Sequence, residues 1–399
     1  METAQCSVIY VFVNVQHSAL DTSFILCDEH DQVLRLKTFS VPFNYNLLSD
    51  ETLASVISDS ITLLKQDLKD IEILEDYVLA KYISKNKSVF ELSDLRKTDW
   101  NFIDTENDRF LVSRLSELAE EVCYVSMGYD NWNITCVKNG KKRFEKNVDF
   151  HDVEEFVKAI DIQKLSAFLT LPITAVELEE ILAVLYTERS YNYGSKKVQD
   201  VVRALVMMFF KQDKMLEDFF QTTKKCKVCI TGQIFSLISF EHAILSVIDG
   251  IGAGISLEIN FFKNELSFGF LSRIFRNKKV SEIVEMALNG VACMYIPLRY
   301  ERFKRSGTAL VGTSKNIDGK EQFYILSDEM RLINISANTE VEISLEEGVF
   351  LQNNRSRTFK LNLENDVKIL FDGRLSPIIY GDSYQNNNVQ IINWINQLE

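Results

Sequence analysis

Metal chemistry has little to work with in this sequence. Only four histidines occur among its 399 residues, His17, His30, His151 and His242. Each falls in a turn or at a helix start, and none has the H-E-x-x-H spacing of a zinc hydrolase. Glu241, beside His242, reads as a helix-dipole partner rather than a general base. No G-x-x-x-x-G-K-[ST] and no G-x-S-x-G occurs, so the chain supports neither a P-loop enzyme nor a serine-type hydrolase. Basic residues are also in deficit, 44 Lys and Arg against 57 Asp and Glu, a net charge of −13. That balance argues against a nucleic-acid partner, because neutralising phosphates needs a basic surface. The best local exception, Arg299-Tyr300-Glu301-Arg302-Phe303-Lys304-Arg305, reads as a solvated loop or strand edge.

Long apolar runs are absent as well. The longest candidate, 203–210 (RALVMMFF), is too short to cross a bilayer and is followed by charges. Residues 1–5 carry no positive region ahead of the first apolar run, so no signal peptide is expected. The expectation is a soluble, cytoplasmic chain without membrane insertion, with docking on a membrane complex left open. The seven cysteines, 6, 27, 123, 136, 226, 229 and 293, are odd in number and mostly lie in apolar, strand-like runs. This suits reduced, buried thiols. Cys226-Lys227-Val228-Cys229 is a CxxC, but no second ligand pair follows at zinc spacing. It opens a strand rather than a helix, so its two thiols should point differently.

What the chain does contain is one pattern used twice. Residues 8–39 and 122–148 each open with an apolar run, cross a polar turn, and return as a strand. The turns are Asn14–Ser18 and Met127–Asn133. Each copy then makes a tight turn, Asp28-Glu29-His30-Asp31 or Lys138-Asn139-Gly140, into a third strand. The first copy is followed by a helix start at Ser49-Asp50-Glu51, with apolar residues at helical spacing from Leu53 to Leu68. Residues 71–83 fit strand and helix equally. Segment 84–109 is polar and reads as loop with one short strand, and a helix at about 108–121 leads into the second copy. From 151 to 222 the chain reads as helical, with Thr174 an N-cap and Val198–Phe210 a central apolar helix. The strand Val228–Thr231 ends at Gly232. The later Asp249-Gly250-Ile251-Gly252-Ala253-Gly254 follows a helix rather than a strand, so it reads as a helix end and not a dinucleotide loop. Beyond 291, strands alternate with turns about every ten residues. The tail ends in a short helix with Ile391, Ile392, Trp394, Ile395 and Leu398 apolar.

Two such meanders, each at the base of a lobe, resemble the actin-like ATPase architecture. The expected fold is α/β, a two-lobed actin-like (ribonuclease H-like) core with a small C-terminal all-β domain. The expected boundaries are 1–121 for the first lobe, 122–290 for the second with its helical segment, and 291–399 for the β-rich domain. From 160 to the C-terminus the order of elements is similar to the glutamate mutase L family, accessory to cobalamin-dependent mutases. The segments that carry this are ITAVELEEILAVLYTERSYN, VQDVVRALVMMFF, VCITGQIFS, the helix running into DGI, and VKILFDGRLSPI with Asp372, Gly373, Arg374 and Pro377. A terminal helix with Ile391-Ile392-Asn393-Trp394 matches too.

The resemblance implies that the first turn of each meander holds phosphates, and that the first meander does so with Asp-x-Gly-Ser/Thr-x-Thr, whose Asp holds Mg²⁺ or its water. Here the first turn reads Asn14-Val15-Gln16-His17-Ser18-Ala19, where Asn14 could replace the Asp as a neutral ligand and no glycine follows. The second has Gly128 and Asp130 in the wrong order, crowded by Tyr129 and Trp132. The adenosine turn retains Gly232 alone. Asn14, Ser18, Gly128, Asp130 and Gly232 are therefore the candidate cleft positions. The favoured expectation is a non-catalytic actin-like accessory protein that binds a protein partner, with no cofactor. The alternatives are an Mg-ATP-driven reactivase for a cobalamin-dependent mutase, and a pilus or cell-division assembly protein of the actin-like class.

Overall fold

The computed structural model describes residues 4–15, 19–42, 49–68, 70–84, 101–103, 108–129, 131–150, 152–187, 195–211, 213–223, 225–252, 255–262, 268–288, 290–301, 307–316, 319–351, 356–374 and 388–398. The chain divides into two compact units, Met1–Leu111 with Glu265–Lys279, and Val112–Asn264 with Val280–Glu399.

In the first unit, β1 (Ala4–Val15), β2 (Ala19–Cys27) and β3 (Val33–Pro42) form the antiparallel meander. Its β2–β3 turn is held by Asp28, whose Oδ1 accepts from the backbone N–H groups of His30 and Gln32, while Asp31 takes φ 58°. After α1 (Asp50–Asp67), β4 (Ile71–Ser84) pairs parallel with β1, and β5 (Asn101–Ile103) pairs parallel with β4. The sheet order is β3-β2-β1-β4-β5. Pairing with β1, from Val8↔Val78 to Val13↔Ile83, decides the ambiguous 71–83 segment as strand: tertiary context overrides a divided local preference.

Alternation along β1 sends Ile9, Val11, Val13 and Val15 toward Leu53, Ile57, Ile61 and Leu64 of α1. Ser49 caps that helix, its Oγ accepting from the Thr52 N–H. Tyr10 and Phe12 take the other face. The helix α2 (Asp108–Ser116) follows and runs across the division between the units.

The second unit repeats the topology. The strands β6 (Glu121–Met127), β7 (Asn131–Lys138) and β8 (Lys141–Asp149) form its meander, closed by Asn139 and Gly140, both at positive φ as a tight hairpin turn requires. Helices α3 (Val153–Ala159), α4 (Ile162–Ser166), α5 (Ala175–Thr187), α6 (Lys196–Lys211) and α7 (Lys214–Gln221) follow. The Thr174 cap is present, its Oγ1 accepting from the Glu177 N–H. From Val201 to Phe210, α6 is buried on all sides, which explains why its sequence there is apolar apart from Arg203.

Next come β9 (Lys225–Thr231), parallel to β6, then α8 (Phe240–Ile251) and β10 (Ser256–Phe261), parallel to β9. The described part of the glycine cluster, 249–252, is a helix end, as expected, and Ala253 and Gly254 lie outside the described residues. Gly252 is the left-handed residue that terminates α8, beside the Lys211 ammonium. Gly250 lets Phe210 approach, so that α6 and α8 pack closely.

The chain then returns to the first unit through α9 (Phe268–Ile274). There Phe270 stacks on Phe12 with ring centroids 4.3 Å apart, and Phe275 meets Tyr10 edge-on. The helix α10 (Val280–Ala287) leads into the C-terminal strands β11 (Ala292–Pro297), β12 (Arg299–Tyr300), β13 (Thr308–Asn316), β14 (Gly319–Leu326), β15 (Met330–Ile335), β16 (Thr339–Leu345), β17 (Val349–Phe350), β18 (Thr358–Leu363) and β19 (Val367–Asp372). Three of these extend the second unit's sheet to the order β15-β19-β11-β10-β9-β6-β7-β8. Four make a separate sheet, β14-β13-β16-β18, and β12 pairs with β17.

The all-β C-terminal region is thus present and shares a core with the large sheet. Val341, Ile343 and Leu345 of β16 face Val367, Ile369 and Phe371 of β19 in one apolar cluster, while Glu340 and Glu342 point outward. The last element, α11 (Asn388–Leu398), lays Ile391, Trp394, Ile395 and Leu398 on the second unit's main core. The orders β3-β2-β1-β4-β5 and β8-β7-β6-β9-β10 are one topology used twice, the duplicated ribonuclease H-like arrangement of the actin-like fold.

Candidate functional site

The turn between β6 and β7 carries two of the five candidate positions, Gly128 and Asp130, and its described residues bond to one another. The Gly128 N–H donates to the Asn131 carbonyl at 2.8 Å, and the Trp132 indole Nε1–H donates to the Gly128 carbonyl at 3.0 Å. Tyr129 and Trp132 are 5% and 4% exposed, so both rings turn inward. Trp132 meets Phe150, Phe156 and Phe209 edge-on at 5.1, 5.8 and 5.3 Å. Such contacts fix the turn to the core through Trp132. A Cβ built on Gly128 would lie 3.0 Å from Asn131 Oδ1 and 3.1 Å from Gln233 Oε1. The glycine therefore sits beneath two neutral carboxamides.

Gly232 is brought to the same place. The parallel pair Ser126↔Thr231 sets the ends of β6 and β9 side by side, and Gly232 takes φ 113° and ψ 152° there. A Cβ on Gly232 would stand 2.2 Å from the Met127 carbonyl oxygen. Backbone packing alone demands glycine at this position, whatever else lies nearby.

Of the five candidates, the structure joins two, Gly128 and Gly232, on adjacent strand ends. Asn14 lies in the first unit, half-buried on β1 and directly across from Asp21 on β2. Ser18 and Asp130 lie outside the described residues. Among the described residues no group of three or more His, Cys, Asp or Glu side chains is placed to hold a metal ion.

A denser polar cluster lies at the opposite end of the strands of the same sheet. Because β11 runs antiparallel to β10 and β19 parallel to β11, the end of β19 faces away from Gly232. There Arg374 grips Asp372 through Nε at 2.8 Å and Nη2 at 2.7 Å, and reaches Asp249 Oδ1 on α8 through Nη1 at 2.8 Å. Tyr295 on β11 donates its hydroxyl to Asp372 Oδ2 at 2.8 Å, and the guanidinium lies 5.0 Å over the Trp394 ring of α11. All three charged side chains are buried.

Burial works against the charge on Asp372, but Arg374 and the Tyr295 hydroxyl outweigh it and hold its carboxyl below the usual carboxylate range. At Asp249 burial wins over Arg374 and the pKa rises. A second buried pair, Arg203 and Asp200 at 2.6 Å, ties α6 to the chain before α5: Asp200 accepts from Thr170 and Leu171 N–H, and Arg203 donates to the Phe168 carbonyl. These clusters hold segments together. Sequence reasoning met Asp249, Asp372 and Arg374 for other reasons and missed their pairing. Nothing in the local pattern signals a contact between residues 125 apart.

No family model matches the chain, and no curated protein matches it. Among solved structures, the ethanolamine utilization protein EutJ from Carboxydothermus hydrogenoformans aligns over 63% of this chain and 84% of its own, at 12% identity and a TM-score of 0.34. The component A of (R)-2-hydroxyglutaryl-CoA dehydratase from Acidaminococcus fermentans aligns over 70% and 97%, at 12% identity and a TM-score of 0.35. A ROK family transcriptional regulator, a homolog of E. coli MLC protein, aligns over 70% and 82%, at 9% identity and 0.33. The fold assignment rests on the strand order: the chain has the actin-like fold, with the ribonuclease H-like sheet built twice.

Proposed function

We propose that this chain is a non-catalytic, actin-like accessory protein that acts by binding a protein partner. The observation that carries the reading is the closure of the 127–132 turn on itself. A phosphate-binding turn needs free backbone N–H groups and small residues so that anionic oxygens can approach. Here the Gly128 N–H and carbonyl are both engaged, and the Trp132 indole is packed into the aromatic core. Gly232 is likewise committed to the Met127 backbone. In the first unit, Asn14 offers a neutral carboxamide where a magnesium site needs a carboxylate. An ATP-driven reactivase would need Mg²⁺ and phosphate ligands that the described residues of these turns do not offer.

Steady-state ATP turnover by the purified full chain tests the catalytic half, with phosphate release followed at millimolar Mg-ATP. The expected result is no release above a protein-free blank. Saturable, Mg²⁺-dependent release that co-elutes with the chain on gel filtration would overturn it. The binding half is tested by stoichiometric co-purification of one protein with the tagged chain from its native cell. Recovery of the chain alone, across salt concentrations that preserve weak complexes, would contradict it.

A further inference from the structure

Cys123 on β6 and Cys136 on β7 stand directly opposite each other in the antiparallel register. Residues so placed have Cα atoms roughly 4.5–5.5 Å apart, inside the span that a disulfide bridges without moving backbone. Their side chains share a face of the sheet: both thiols are fully buried in the second unit's core, and Cys136 Sγ–H donates to Cys123 Sγ at 3.1 Å. Approach by about 1 Å reaches bonding distance.

Of the other thiols, Cys226 lies on β9, the strand that pairs with β6, and is buried in the same core. It lies one row away, since Cys123 is opposite Val228. Its CxxC partner Cys229 is an odd number of residues away along the strand, so those two face opposite sides and cannot pair.

We infer that Cys123 and Cys136 form a dithiol–disulfide couple, closed by a small hydroperoxide and reopened by thiol reductants. In the forward step one sulfur, as thiolate, attacks a peroxide oxygen. The S–O bond forms, the O–O bond breaks, and the departing hydroxide leaves as water after taking a proton. The neighbouring sulfur then displaces the sulfenic oxygen: S–S forms, S–O breaks, and a second water departs. In sum, two thiols and one hydrogen peroxide give one disulfide and two waters. Burial raises both thiols above their ordinary pKa, which keeps them protonated and makes closure slow. It also restricts the reaction to an oxidant small enough to enter a closed core. The product would staple β6 to β7 four residues before the 127–132 turn, fixing the hairpin whose closure defines the candidate site.

The test is thiol counting on the native full chain, treated with hydrogen peroxide, then unfolded in acid and labelled with N-ethylmaleimide. The expected result is five labels instead of seven, an unlabelled mass lower by 2 Da, and one cross-linked peptide pair joining Cys123 to Cys136. Dithiothreitol should restore all seven labels. Seven labels after oxidation, a gain of 16 or 32 Da without cross-linking, or a Cys123–Cys226 linkage would each overturn the inference. Peptide mapping uses the unaltered protein, so the outcome does not depend on a variant folding.

Discussion

Replacing Gly232 by alanine separates a glycine kept for packing from one kept for a ligand. At φ 113° and ψ 152° the backbone lies in a region that L-residues enter at a cost of about 1–3 kcal/mol. The added methyl would meet the Met127 carbonyl oxygen at 2.2 Å and its carbon at 2.4 Å. These are backbone atoms in a paired strand, so relief requires β6 and β9 to part by about 1 Å, and such overpacking costs roughly 1–3 kcal/mol. Together the terms give about 4 kcal/mol. In a unit of this size each kcal/mol moves Tm by roughly 2–4 °C, so the second unit should melt about 8–16 °C lower. Urea denaturation followed by far-UV circular dichroism gives the same quantity as a shift in midpoint at constant slope. A ligand-free Gly232→Ala protein that loses less than about 1 kcal/mol would refute the packing argument. Gly232 would then be a residue held for something that binds.

Further outcomes follow from the same contacts. Trp132→Ala removes a buried indole from an aromatic cluster and leaves the Gly128 carbonyl unpaired, and should cost roughly 4–6 kcal/mol by chemical denaturation, against less than half that for Trp132→Phe. Arg374→Met strands two buried carboxylates and should cost about 3–5 kcal/mol, while adding Asp249→Asn and Asp372→Asn should recover part of the loss. Asp372 has a depressed pKa, so it binds fewer protons folded than unfolded. Its stabilisation is present above pH 3.8 and is lost as pH falls through the lower folded value. Asp372→Asn should therefore flatten the acid limb of a stability–pH curve below pH 3.8. Gly312→Val places side-chain atoms where the Phe323 ring now lies, 2.0 Å from a Cβ at that position, and should lower the thermal midpoint of the second unit by several degrees.

The architecture was legible where local rules and global fold agree. The apolar runs at 8–13 and 122–127, each followed by turn residues and a returning strand, gave both meanders, and Asn139-Gly140 marked its hairpin by chemistry that only a positive-φ turn needs. The glycine cluster after α8 was readable as a helix end, because a helix and not a strand precedes it. Segment 71–83 was not decidable alone, since its strand character comes from β1 beside it. The return of 268–274 to the first unit was invisible for a related reason: Phe270 finds Phe12 across more than 250 residues of sequence.

The site was partly legible. Crowding by Tyr129 and Trp132 was visible in the sequence, but that Trp132 would turn inward and bond the Gly128 carbonyl was not. The Cys123–Cys136 pairing did carry a signal in the hairpin register, since a symmetric count outward from the turn sets them opposite. The Arg374 cluster carried none, because three separate elements supply it.

Thermal unfolding of the full chain with and without millimolar Mg-ATP tests the central claim most directly. Ligand at 100 times its dissociation constant adds about 2.7 kcal/mol to the folded state, a rise of several degrees that scanning calorimetry resolves easily. A self-closed turn predicts coincident transitions at every nucleotide concentration. A rise that requires Mg²⁺ and saturates with ATP would contradict the account and make this chain a nucleotide-binding protein.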